Sequence, residues 1–186
     1  TIPEGLKAAG YRSYLSGKWD VVADTPGGPL ARGFDHFYGF RRGCGSFFAP
    51  LGLQREGKDA EHEWKEDEDF YFTHAITDNA VRYMEQTPDE QPFFMLVSYT
   101  APHWPMHALP ADIKKYEGRY AEGWDVLRAR RLERMKAMGL VPDHVPLPPR
   151  NRNGVAWEDA PHKAWQQRRM EVYAAMIDSL DQGVGR

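Results

Sequence analysis

With a single cysteine, Cys44, in 186 residues, the chain can form no internal disulfide and no cysteine-based zinc site. It has no apolar run near the roughly eighteen residues that a membrane span needs, and no charged-then-apolar leader at its start. Because it begins with Thr1, the missing leader says nothing about where the protein resides. An excess of one charge is lacking too. The 24 Lys and Arg stand against 27 Asp and Glu, a net of -3, which gives no broad attraction to nucleic acid or an anionic membrane. No GxxxxGKS/T or GxGxxG phosphate loop occurs, and Gly43-Cys44-Gly45-Ser46 lacks the strand and helix such a loop requires. The acidic stretch Glu61, Glu63, Glu66, Asp67, Glu68 and Asp69 lacks the alternating ligands and central glycine of a calcium loop. His62-Glu63 meets Glu66 where a zinc-protease helix would place its second histidine. Arg55 to Asp69 therefore reads as a solvated, charged connection.

Apolar character is concentrated instead in Phe93 to Tyr99, a β-favouring run bounded by Pro92 and Pro102 and too short for a lone helix. It reads as a strand buried on both faces. Directly after it come Thr100, Ala101, Pro102, His103, Trp104, Pro105 and then His107, with two prolines bracing an extended loop. Ligands of open α/β sheets sit outside the carboxyl ends of the strands, so His103 is where chemistry is expected.

Thr1 to Glu4 has capping-box spacing ahead of Leu6, Ala8 and Ala9, which predicts a short helix ended by Gly10 in the left-handed conformation. Tyr11 to Leu15 reads as a strand that runs out at Ser16-Gly17-Lys18-Trp19-Asp20, so a second strand end offers a lysine. Asp24 to Tyr38 is a Pro- and Gly-rich loop leading into a short hydrophobic element at Phe34, Phe37 and Tyr38. Cys44 reads as an ordinary small residue, with a nucleophile as the alternative. From Phe72 to Gln86 the residues Ile76, Ala80, Tyr83 and Met84 recur at helical spacing.

Ala111 to Tyr116 makes a turn or two, and Trp124 to Met138 a longer helix. That helix bears Arg128, Arg130, Arg131, Arg134 and Lys136, read as a solvated basic face, with a polyanion track as the alternative. Val141 to Pro161 is an irregular excursion. His162 to Gly185 is the longest helix, paced by Trp165, Arg169, Val172, Tyr173, Met176, Ile177, Leu180 and Val184. On it Asp178 and Asp181 read as surface carboxylates rather than a metal pair.

Two firm strands, a third near Phe37 and four helices do not complete an α/β layer structure, which points to an internal slice of a larger protein. At this point the residues carry a family resemblance. Leu6-Lys7-Ala8-Ala9-Gly10-Tyr11-Arg12 followed by Gly17-Lys18-Trp19 resembles the second signature of the sulfatase family. Arg32-Gly33-Phe34-Asp35-His36-Phe37-Tyr38-Gly39 is similar to its RGFDxFYG segment, and Pro92-Phe93-Phe94 through Ala101-Pro102-His103-Trp104-Pro105 to its strand-and-loop motif. Asp178 to Arg186 resembles its DxxDxxvGr helix.

The resemblance implies a partial slice of an alkaline-phosphatase-like α/β/α sandwich, a mostly parallel sheet flanked by helices, with residues 1–186 internal to the catalytic domain. It implies a sulfuric ester hydrolase acting on aryl or carbohydrate sulfate esters through a formylglycine and a calcium ion, both contributed from outside this chain. A periplasmic or secreted location follows from the same likeness. Lys18 matches the family lysine that contacts sulfate oxygens, and His103 the histidine near the leaving oxygen. Two departures stand out. Cys44 does not match the Cys-x-Pro-Ser-Arg motif that becomes formylglycine, and Asp20 stands where the family usually has the His of Gly-Lys-Trp-His. A carboxylate about 4 Å from a sulfate costs about 4 kcal/mol at an effective dielectric of about 20. Asp20 is thus either a base in the reaction or the mark of a catalytically silent relative that binds sulfated glycans. A phosphate or phosphonate ester hydrolase of the same superfamily is the other alternative. The central expectation is that the Lys18 ammonium and the His103 imidazole serve one tetrahedral anion.

Overall fold

The computed structural model describes residues 1–21 and 26–186. The part of the expected Pro- and Gly-rich loop at residues 24 and 25 lies outside the described residues. The chain opens with helix α1, Ile2–Lys7, where the Thr1 hydroxyl accepts from the Glu4 amide at 3.3 Å and the capping box closes as expected. Gly10 follows with φ of +80°, the conformation that frees the chain to reverse.

Strand β1, Arg12–Lys18, then enters a five-stranded sheet one place in from its edge. Its parallel neighbours are β2, His36–Phe40, and β5, Phe93–Ser98. Two short antiparallel strands, β3 at Gln54–Arg55 and β4 at Lys58–Asp59, extend the β2 side. The helices in chain order are α2, His62–Lys65; α3, Phe72–Glu85; α4, Pro110–Lys114; α5, Gly123–Ala137; and α6, Lys163–Val184.

The period-2 alternation of β1 sorts its side chains between two cores. Tyr14 joins Tyr38, Phe40, Phe72, Ile76 and Tyr83 on the face that α3 covers. Leu15 joins Trp19, Phe34 and Phe37 on the other face. Ser16, wholly buried, donates to the Ile76 carbonyl at 2.7 Å, which seats α3 against β1 without leaving the hydroxyl unpaired. On α3 the stripe Phe72, Ile76, Ala80 and Tyr83 is buried. Met84, expected on that stripe, is exposed in the helix's last turn, although Thr73 and Thr77 on the same side earlier in the helix are buried.

Three further expectations are corrected. Strand β5 is not buried on both faces: Phe93, Leu96 and Val97 are 40%, 38% and 36% exposed, because among the described residues β5 ends the sheet and pairs with β1 alone. Arg55 to Asp69 is not merely solvated. Arg55 lies over the Tyr38 ring at 4.6 Å and forks onto Glu63 at 2.8 and 3.1 Å, while Ala60 enters the core and Trp64 packs against it. Helix α6 buries Glu171, Ala175, Met176 and Ser179, leaving Tyr173 and Ile177 exposed. Polar residues hold that buried face: Glu171 accepts from the Gly118 amide at 3.0 Å, and Ser179 donates to Asp112 of α4 at 2.7 Å.

Candidate active site

The three parallel strands deliver their carboxyl ends to one rim. In register, Gly17 of β1 stands opposite Gly39 of β2 and Ser98 of β5. A Cβ on Gly17 would lie 2.0 Å from the Ser98 carbonyl oxygen, and one on Gly39 would lie 1.7 Å from the Gly17 carbonyl oxygen. Both positions have positive φ, +120° and +146°, so only glycine lets the strands close here. The next residues turn outward at the rim, where Lys18 begins the exit from β1.

Lys18 does not project freely. Its ammonium donates to the Gly43 carbonyl at 3.2 Å and stands 3.8 Å from Asp20 Oδ2. The Asp20 carboxylate lies close over Gly43, where a Cβ would meet its Oδ2 at 2.6 Å and push it aside. The loop after β2 therefore lies directly on the Asp20 carboxylate and fixes the lysine from the other side. Trp19 between them is buried against Phe34, with ring centroids 5.9 Å apart, which anchors this turn in the sheet's second core. Asp20 itself is largely exposed.

His103 lies five residues beyond Ser98, the end of the adjacent strand. The loop's root is packed, because Thr100 and Ala101 are buried and Ala101 joins Phe47, Tyr71 and Met176 in a core cluster. The His103 amide donates to the Thr100 carbonyl at 2.9 Å, and its Nδ1 stands 2.8 Å from the Trp104 carbonyl oxygen. A carbonyl can only accept, so Nδ1 carries the proton and Nε2 is left for another partner. His103 is exposed at the rim, and the peptide bonds before Pro102 and Pro105 are cis.

The neighbouring His107 has a different part. Its Nδ1 accepts from the Phe47 amide at 3.3 Å, Phe47 and Phe48 pack on its ring, and burial pushes its imidazole pKa down. It braces the loop. Asp178 bonds Lys115 at 2.9 Å, and Lys115 also bonds Asp112 at 2.7 Å. Cys44 is a half-buried free thiol in the loop beyond Gly43. Among the described residues no group of three or more His, Cys, Asp or Glu is placed to hold a metal ion.

Lys18, Asp20 and His103 were readable from strand ends. Gly43 was not, because its role is non-local and rests on a carbonyl that any residue possesses. The buried Thr100 hydroxyl and Trp19 indole nitrogen, both without a hydrogen-bond partner among the described residues, also lie just beyond these strand ends.

The Sulfatase family model matches residues 1–186. An uncharacterized sulfatase of Schizosaccharomyces pombe is 34% identical over 200 residues, covering 100% of this chain and 36% of that protein. The arylsulfatase of Klebsiella aerogenes is 33% identical over 195 residues, covering 100% of this chain and 42% of that protein. The chain thus spans less than half the length of these curated relatives. Among solved structures, Ps i-CgsB in complex with k-i-k-neocarrahexaose aligns with a TM-score of 0.60 at 23% identity, over 99% of this chain and 34% of that one. A protein in complex with its substrate D-glucosamine-2-N,6-O-disulfate aligns with a TM-score of 0.53 at 22% identity, over 100% of this chain and 45% of that one. The shared fold is a mixed α/β sheet with flanking helices, of the alkaline-phosphatase-like class.

Proposed function

Because this chain belongs to the sulfatase family, we propose that the whole protein hydrolyses sulfate esters and that residues 1–186 supply part of its sulfate-binding site. The observation that carries this reading is the position of Lys18 and His103 at the carboxyl ends of two adjacent parallel strands. Each is oriented by a backbone carbonyl, Lys18 by Gly43 and His103 by Trp104.

As an S–O bond breaks, negative charge gathers on the departing oxygen. An ammonium held in place before the reaction stabilises that charge without reorganising at the moment of cleavage. Lys18 spends one of its three donors on Gly43, leaving the others for sulfate oxygens. His103, with Nδ1 committed to Trp104, presents Nε2 to the leaving oxygen and in its protonated form donates there. Asp20, 3.8 Å from Lys18, offsets part of the ammonium's charge while the site is empty, and the lysine in turn offsets the repulsion Asp20 exerts on an incoming sulfate.

The described residues do not fit the formylglycine and calcium that the family implies. Cys44 lies outside the required motif, and no carboxylate group is placed to take the ion. In this reading both come from parts of the protein beyond residues 1–186, and a periplasmic or secreted location is proposed with them. Aryl or carbohydrate sulfates are the proposed substrates, in keeping with a relative that is an arylsulfatase and a structural neighbour bound to a sulfated sugar.

The test is turnover of an aryl sulfate and of the matching aryl phosphate by the full-length protein. Sulfate should be preferred, and Lys18→Ala should lower kcat/KM on it by about 10²- to 10³-fold. Preference for the phosphate would favour a phosphate ester hydrolase. An inert protein that gains turnover on Asp20→His would favour the silent, glycan-binding relative.

A further inference from the structure

We infer that the groove between α5 and α6 binds the additional sulfate groups of a polysulfated oligosaccharide, an inference that rests on the sulfate-ester reading above. The groove has a volume of about 970 Å³, and none of its lining residues is a carboxylate. Arg131 and Arg134 of α5 and Arg169 of α6 line it, all exposed and without an acidic partner among the described residues, with Arg169 donating to the Gln166 side-chain oxygen at 3.0 Å. Arg128 and Arg130 also face it but are engaged, by the Pro148 carbonyl and by Glu122.

A merely solvated helix face would interleave both signs along the groove. The acidic residues of α5 are turned away from it: Asp125 pairs with Arg150 at 3.0 Å and Glu133 with Lys136 at 3.8 Å. The unopposed guanidiniums are planar forks that match the oxygens of a sulfate. Between them Tyr120 and the 45%-exposed Tyr173 offer flat apolar faces of the kind that pack on a sugar ring.

Met106 ties the groove's lining to the His103 loop: it lines the groove, lies three positions after His103, and packs in the cluster that joins Ala101 to Ala175 and Met176 of α6. In this proposal a chain whose reacting sulfate sits at the strand ends runs past Met106 into the arginine-lined space. The sulfate-ester reading favours a sulfated glycan over nucleic acid as the polyanion.

The experiment titrates the full-length protein with a heparin-derived hexasaccharide and compares it with the triple variant Arg131→Ala, Arg134→Ala, Arg169→Ala. Binding should weaken by about 30-fold or more, with a salt dependence shallower by about two to three ionic contacts. Replacing the same three with lysine should restore part of the affinity. On turnover, the variant's ratio of kcat/KM for the hexasaccharide to that for an aryl sulfate should fall about tenfold or more, through KM. If the triple variant does not fold, Arg134→Ala alone should still weaken binding about threefold or more. Hexasaccharide affinity within twofold of wild type, or equally tight binding of a single-stranded oligonucleotide of the same charge, would overturn the assignment. Binding is read without catalysis. A wild type that binds through these arginines but cleaves no sulfate ester leaves the groove in place and removes the hydrolase reading instead.

Discussion

Leu15 of β1 and Leu96 of β5 stand opposite each other on neighbouring parallel strands, yet Leu15 is completely buried and Leu96 is 38% exposed. Both strands are apolar enough to be core. What differs is the surroundings: β1 has a strand on each side and Leu15 packs with Trp19, Phe34 and Phe37, while among the described residues β5 pairs with β1 alone. A hydrophobic run reports the capacity to be covered, and topology decides whether the cover is there. The two strands nonetheless end at the same rim, so the candidate site joins a well-packed tip to one whose support comes mainly from its loop.

The sharpest way to break this contrast is at the glycines of the packed side. Gly39→Val should destabilise the protein by about 4 kcal/mol or more, since its Cβ would fall 1.7 Å from a backbone oxygen that cannot move independently. Loss of soluble protein or a collapsed melting temperature is the expected result.

Next comes the pair itself. Leu15→Ala should cost about 3 kcal/mol in denaturant unfolding and Leu96→Ala about 1 kcal/mol, the smaller value reflecting side-chain surface already in water. Equal costs would mean that the edge of β5 is as well covered as β1.

An effect between these two is expected in the helical layer, where polar groups do what apolar ones do under β1. Asp112→Ala should cost about 1 to 3 kcal/mol because it leaves the buried Ser179 hydroxyl unpaired. Burial pushes the Asp112 carboxyl up, but hydrogen bonds from Lys115, Ser179 and Gln182 outweigh it and hold the pKa below the usual value. A depressed folded pKa means that the charged form supports folding above the unfolded carboxyl's value of about 3.9, and that this support fades as pH falls through the lower folded value. The stability gap between wild type and Asp112→Asn should therefore be full at pH 6 and shrink in acid.

How much of this was legible beforehand depended on range. The stripe of α3 and the capping box of α1 are written within a few residues, so periodicity and spacing revealed them. Lys18 and His103 were legible because strand ends are where α/β sheets place ligands. The β3–β4 hairpin was hidden, since Arg55 and Glu63 look solvated until one sees them meet over Tyr38. The true face of α6 was hidden for the same reason. Glu171 and Ser179 look like surface residues, and only their partners, the Gly118 amide and Asp112, make burial affordable. Gly43, which holds Lys18 from 25 positions away, left no local signal.

The measurement closest to the central claim is a double-mutant cycle on Lys18 and His103, read as kcat/KM for an aryl sulfate with the full-length protein. If both side chains serve one anion, the Lys18→Ala, His103→Ala double variant should lose at least about fivefold less than the product of the two single losses. Losses that simply multiply would show the two residues acting independently, and would contradict the shared site.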